Sequence, residues 1–295
     1  MTGIICINKH SGITSFGVCA KVRGMTGEKK VGHTGTLDPM ATGVLPVMLG
    51  GATRFLDYIP DSDKAYRATF VLGITTDTLD ITGEVLSRSE VTATRDDVEA
   101  LLPEFTGEIT QLPPMYSAVS VDGKRLYELA REGKTVERKP RQVEIKRLEL
   151  VGENGGEYTI DVKCSKGTYI RTLIDDIGQR LGCGAVMTSL VRTEAMGFTL
   201  DDCITLDELQ KMKDGGEGFE SVLRSVDSVL SDYKEVRVSP AQAKRFSNGG
   251  ALDLERIKSP LEEGLYRVYS QDGAFLGLGQ ADSGKLKAAK IFVAR

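Results

Sequence analysis

The sequence predicts an α+β protein in two parts, a large mixed unit over residues 1–233 and a small β-rich unit over residues 234–295. Three observations carry that prediction. Strand-like and helix-like segments are interspersed without the strict alternation of a doubly wound parallel sheet. Around Tyr233 the texture changes to short β-rich runs separated by turn residues. A chain of 295 residues is also longer than the usual domain of roughly 100–200 residues, and suits one large unit plus a small one.

The elements follow in order. Gly3–Asn8 is a short apolar run and reads as a buried strand. Thr14 or Ser15 then caps a helix running to about Met25, with Val18 and Val22 four apart on one face. A glycine-rich loop, Gly32 to Gly43, leads into a β-type run at Val44–Leu49, and Lys64–Leu72 alternates as a strand does. Thr94, with Asp97 three residues on, opens a helix through Leu102 that Pro103 stops. Arg125–Glu132 has helical texture. Gln142–Val151 and Glu157–Cys164 read as paired strands across a turn holding Gly152, Gly155 and Gly156. Tyr169–Leu181 is an amphipathic helix ended by Gly182. Helical stretches follow near Leu206–Met212 and Phe219–Leu230. The last four β-rich runs are Val236–Val238, Gly264–Tyr269, Ala274–Gly279 and Lys290–Val293.

Composition narrows the class. Forty per cent hydrophobic and 27% charged residues describe an ordinary globular chain. The five cysteines are scattered and odd in number, which fits neither a disulfide framework nor a zinc site and points to a reducing cytoplasm. No apolar run reaches membrane-spanning length, so no membrane association is expected. Net charge is −4, but it is unevenly spread: +3 over 1–67, −7 over 68–121, +4 over 122–147, −8 over 148–235 and +4 over 236–295. Three basic blocks could gather on one face and meet nucleic-acid phosphates, or they are simply solvated faces.

The most informative stretch for chemistry is 32–43, which holds one of two histidines and an aspartate, Asp38, before a proline. Pro39 biases Asp38 to extended backbone, and flanking glycines allow turns that other residues cannot make. Such a loop either projects a carboxylate into a cleft or forms a tight surface turn. It lacks the Gly-Lys-Ser/Thr ending of a nucleotide-phosphate loop. Residues 166–171 open a helix with Arg171, a cation free to pair with an anion elsewhere or to sit in solvent. Tyr66 reads by itself as a strand aromatic.

Residues 32–45, GHTGTLDPMATGVL, resemble the signature loop of the bacterial TruB family, the synthases that make pseudouridine at tRNA position 55. SGITS at 11–15, KAYR at 64–67, TDTLDITG at 76–83, PPMYSA at 113–118 and CSKGTYIRTLIDD at 164–176 match further family motifs in order. The resemblance spans nearly all of residues 3–200. It implies a catalytic core with a mixed, largely antiparallel central sheet flanked by helices. Residues from Val236 on resemble the small β-rich PUA-like RNA-binding domain of the family. The implied activity is isomerisation of a flipped uridine in the T-arm stem-loop of tRNA by a cytoplasmic monomer, with no cofactor and no metal.

The resemblance also implies roles. Asp38 matches the catalytic aspartate, Arg171 the active-site arginine that keeps it ionised, and Tyr66 the tyrosine that stacks on the target base. His33 matches the histidine that fills the space left by the flipped nucleotide. Tyr169 and Leu190 match pocket-lining residues. Lys9 supports the pocket or a phosphate, and Asp80 either bonds the uracil edge or is a solvated turn aspartate. His10, Ser120 and Val191 depart from the family pattern, which has proline, lysine and arginine there. The rival readings are a tRNA chaperone without catalysis and an RNA glycosidase or nuclease.

Overall fold

The computed structural model describes residues 1–121 and 123–292. Its central feature is a nine-stranded sheet. The strands are β1 (Gly3–Lys9), β2 (Val31–His33), β3 (Thr42–Leu49), β4 (Lys64–Leu72), β5 (Gly107–Gln111), β6 (Arg141–Asn154), β7 (Glu157–Cys164), β8 (Ala185–Ala195) and β9 (Phe198–Thr199). The order across the sheet is β1-β3-β8-β4-β7-β6-β5, with β2 beside β3 and β9 beside β8. Only β3 and β8 run parallel; the other pairings in this sheet are antiparallel. The expected mixed, largely antiparallel sheet is therefore present.

Helices pack on this sheet because their apolar stripes recur at helical spacing. In α1 (Ser15–Thr26), Ser15, Val18, Cys19 and Val22 are buried on one face. Thr14 caps it by accepting from the Gly17 amide at 2.9 Å. The helix α2 (Arg95–Leu101) carries the expected Thr94–Asp97 capping box. The α-helix ends just before Pro103 as expected, and the chain continues into a 3-10 turn at Leu102–Phe105, whose first residues need no intrahelical donor, so Pro103 loses no hydrogen bond. Next come α3 (Leu126–Arg131), α4 (Ile170–Arg180) and α5 (Leu206–Asp214). Ile170, Leu173, Ile174 and Ile177 anchor α4 in the main core.

Phe219–Leu230 is not a helix. It forms two short 3-10 turns, Glu220–Val222 and Val226–Leu230, with Leu223 extended between them. The reason lies at the sheet edge. Arg224 and Ile4 exchange backbone hydrogen bonds of 2.8 Å each, and Ile204 bonds similarly to Cys6 and Asn8. Extended residues at 204 and 224 thus satisfy the outer edge of β1, which would otherwise be an open template for pairing.

From Lys234 a second, five-stranded sheet begins: β10 (Lys234–Val238), β11 (Leu252–Asp253), β12 (Gly264–Ser270), β13 (Phe275–Asp282) and β14 (Lys285–Ile291). Its order is β10-β12-β13-β14-β11. Val293, which ends the last expected run, lies outside the described residues. Helix α6 (Pro240–Ser247), capped by Ser239, covers this sheet through the fully buried Phe246. Phe275 and Phe292 pack their rings against Phe55, and Tyr269 donates to Asp227 at 2.8 Å, so this sheet is seated on the first through an apolar seam with a polar rim. Among the described residues, no helix is long and apolar enough to cross a membrane.

Candidate active site

Residues 34–41 connect β2 to β3, two antiparallel neighbours, so the loop is tethered at both ends in the sheet. Its shape is fixed from below. Ser15 Oγ donates to the Leu37 carbonyl at 3.1 Å and accepts from the Leu37 amide at 2.9 Å. The Gly12 amide donates to the Pro39 carbonyl at 2.8 Å. Lys9 is fully buried at the end of β1, and its amine donates to the carbonyls of His10, Pro39 and Ala41. Three donors meet three acceptors, so Lys9 braces the loop rather than reaching for a phosphate. Burial lowers its pKa to about 8, although Asp38 nearby opposes the shift.

Gly43, where the loop enters β3, shows how closely the strands approach. It pairs with Lys9 on one side and Arg192 on the other. A Cβ there would stand 2.2 Å from the Arg192 carbonyl oxygen, and its φ is +99°. Only glycine fits this crossing.

Held in this way, Asp38 meets Arg171 from the first turn of α4, with Oδ2 and Nη2 3.0 Å apart. One-third of the Asp38 side chain reaches solvent, against 7% for Arg171, so the carboxylate is the accessible member of the pair. The same guanidinium lies 3.5 Å from Asp80, and donates to the carbonyls of Thr78 at 2.9 Å and Tyr116 at 2.7 Å. This explains two motifs at once: TDTLDITG and PPMYSA supply the acceptors that fix the fork of one arginine. Leu79 takes a left-handed φ of 62° to make that turn, a strained state for a branched residue, and backbone bonds between this turn and Met187 hold it.

Asp80 is buried, not a solvated turn aspartate. Besides Arg171 it accepts from Thr78 and from the amide and hydroxyl of Thr82. Burial raises the Asp38 pKa; Arg171 pulls it down, Asp80 pushes it up and Lys9 pulls it down again. The net shift is upward with burial as its largest cause, and a carboxylate so placed is, when ionised, poorly solvated and hence a better nucleophile or cation stabiliser than one in water.

Tyr66 on β4 and Leu190 on β8 are both buried and share one face of the sheet, since Tyr66 pairs with Arg192 and Leu190 with Ala68. Burial raises the Tyr66 pKa, and Arg192 opposes that. Tyr169, at the start of α4, is partly exposed. Its backbone is clamped by the buried Gln111, whose amide group donates to the Tyr169 carbonyl at 3.2 Å and accepts from its N–H at 2.9 Å. His33 is half-buried, with its ring perpendicular to that of Phe16 and the centroids 5.4 Å apart. Burial first, and Arg192 second, lower its pKa, so the imidazole is neutral at ordinary pH.

Arg192 went unnoticed in the sequence. It is among the largest fully buried side chains, donating to the Val44 carbonyl at 2.7 Å and the Gly35 carbonyl at 3.2 Å, while Nη1 has no partner among the described residues. No local pattern marks it, because the strand Ala185–Ala195 that carries it does not alternate regularly.

A sheet of this topology, with a carboxylate–guanidinium pair where one loop meets the start of α4, is the frame on which comparison with known proteins places a pseudouridine synthase. The fold agrees with solved structures: a Cbf5–Nop10–Gar1 complex matches at 26% identity and a TM-score of 0.75, over 99% of this chain and 85% of that one. An H/ACA RNP bound to a substrate RNA containing 2′-deoxyuridine matches in fold at 24% identity and a TM-score of 0.74, over 99% and 86%. The family is more specific. Residues 23–170 match the N-terminal domain of TruB family pseudouridylate synthases, 171–231 the tRNA pseudouridylate synthase B C-terminal domain, and 235–292 the C-terminal model of pseudouridine synthase II TruB. The tRNA pseudouridine synthase B proteins of Stutzerimonas stutzeri and Clostridium novyi are each 44% identical, over 99% of this chain and 95% and 100% of theirs. The chain belongs to the TruB family and is an isomerase.

Proposed function

We propose that the chain isomerises uridine 55 in the T-loop of tRNA. The observation that carries the mechanism is the 3.0 Å pairing of a partly solvent-accessible Asp38 with a fully braced Arg171. The target nucleotide must leave its stack to bring C1′ to Asp38, at a cost of a few kcal/mol, and His33 occupies the gap it leaves. Tyr66 stacks on the uracil, with Tyr169 and Leu190 lining its pocket. As the N1–C1′ bond breaks, positive charge grows on the sugar and Asp38 meets it at C1′. The uracil turns, C5 joins C1′, the C5 proton leaves and N1 gains one. Atoms and electrons balance without a redox partner or a metal. Asp80 is kept from the substrate by its own bonds and acts through Arg171.

The tRNA assignment rests on the synthases of the same family that are 44% identical over nearly the whole chain. We assign residues 1–233 to catalysis and 234–295 to a PUA-like grip on RNA outside the target loop, in a cytoplasmic monomer. The test is to map pseudouridine in unmodified tRNA after treatment. The wild-type protein should modify one T-loop uridine and release no free uracil, a T-arm stem-loop should suffice as substrate, and binding should weaken with salt as counterions are released. Asp38→Asn should bind tRNA and form no product; product at the wild-type rate would end the proposal.

A further inference from the structure

Phe16 is 74% exposed, more than any other exposed large hydrophobic residue among those described. A lone exposed apolar side chain is unremarkable in a folded protein. This one differs in how it is held. Its neighbour Ser15 is doubly bonded to Leu37, the residue before Asp38, and Gly12 is bonded to Pro39, the residue after it. The Phe16 ring then stands perpendicular to that of His33, with an interplanar angle of 87°. Its position is thus tied to the loop on both sides of Asp38, and most of the residue is left to solvent beside the histidine. Along the same exposed stripe of α1 lie Ala20 and Arg23, and Arg23 pairs with no carboxylate among the described residues.

We propose that Phe16 is a stacking platform for an unpaired base of the RNA loop adjacent to the flipped nucleotide, and so a specificity-determining residue for this enzyme. The inference rests on the RNA-isomerase reading above. A rigid aromatic face next to a gap-filling histidine offers a displaced base the stacking it loses when its neighbour leaves. The cation two turns away suits a phosphate chain and not an apolar protein surface. Stacking of this kind accepts any base, so Phe16 would favour an unpaired loop nucleotide over a stem without reading its identity.

The test uses the full-length enzyme and T-arm stem-loop RNAs that each carry one abasic loop position. Phe16→Ala should raise KM roughly 5- to 150-fold, the range expected for one base–aromatic stack, with kcat little changed. Phe16→Trp should restore KM. One abasic position should reproduce the KM increase in the wild-type enzyme and add nothing further in Phe16→Ala. The proposal is overturned if KM is unchanged in Phe16→Ala, if every abasic position adds its effect equally in both proteins, or if the KM change comes with a lowered unfolding temperature. A wild-type enzyme that forms no pseudouridine would instead defeat the functional reading beneath it.

Discussion

Arg171→Lys keeps the positive charge and removes the fork, which isolates what the geometry contributes. The guanidinium makes four directed contacts: Asp38 at 3.0 Å, Asp80 at 3.5 Å, and the carbonyls of Thr78 and Tyr116 at 2.9 and 2.7 Å. An ammonium on a shorter reach cannot span two carboxylates and two carbonyls at once. With Asp80 buried deeper than Asp38, the contact surrendered is the one to Asp38. A hydrogen bond to a charged group contributes about 1.5–3 kcal/mol, so losing it from the chemical step should slow single-turnover conversion roughly 10- to 150-fold. Tritium release from RNA labelled at uridine C5 measures that step, because the C5–H bond is broken whenever C5 joins C1′. RNA affinity should stay within about threefold, since the arginine contacts protein and not the nucleotide. The acid limb of the pH–rate profile should move up, because Arg171 opposes the burial that raises the Asp38 pKa. A wild-type rate, or an acid limb displaced to lower pH, would refute this account of Arg171.

Three further outcomes follow from the same geometry. Asp80→Asn removes the charge that pushes the Asp38 pKa up, so the acid limb should move to lower pH while the rate at neutral pH falls as Arg171 loses its second anchor; a limb moved upward contradicts the sign. Lys9, with its pKa lowered to about 8, binds fewer protons folded than unfolded, so it contributes stability that is complete above about 10.5 and fades as pH falls through 8. Urea unfolding should show wild-type stability rising relative to Lys9→Met between these two values, and parallel curves would exclude a depressed lysine. Gly43→Ala forces a Cβ to 2.2 Å from the Arg192 carbonyl at a φ of +99°. Its cost of roughly 2–4 kcal/mol should lower the melting temperature by about 4–16 °C and uncouple the loop from β8.

Sequence patterns revealed elements wherever local chemistry decides them. Thr14, Thr94 and the Gly182 stop are visible because capping involves residues three or four apart. The long strand β8 was missed although it lies at the centre of the sheet. Its inner positions include Arg192 and its outer ones Thr188 and Ser189, so hydrophobic alternation is broken on both faces. Helix α6 was hidden in a β-rich region by its brevity, and β5 by the polar residues of a sheet edge. The Phe219–Leu230 error has the opposite origin: apolar spacing suggested a helix, but the unpaired edge of β1, distant in sequence, demanded extended chain at Arg224. At the site, Asp38 stood out through its glycine-rich, proline-locked loop, whereas the burial of Asp80 and the saturation of Lys9 depend on tertiary neighbours that no local pattern encodes.

That division has a chemical cause. In the proposed function Asp38 must reach an external substrate, so a loop suits it, and loops advertise themselves through glycine and proline. The groups that set its reactivity must be shielded from water, so they lie on sheet strands and a helix start where a cation looks like any other surface charge in the sequence. Lys9, Arg171 and Arg192 are all cations with little solvent contact, and each donates to backbone carbonyls within or beside the segments that carry Asp38 and Asp80. Buried cations are costly unless their donors are met, and here the carbonyls that meet them belong to the segments that must not move. The same bonds that make these charges tolerable therefore hold the carboxylate still. Apolar replacement of any one of them should loosen the loop even where it relieves the burial cost.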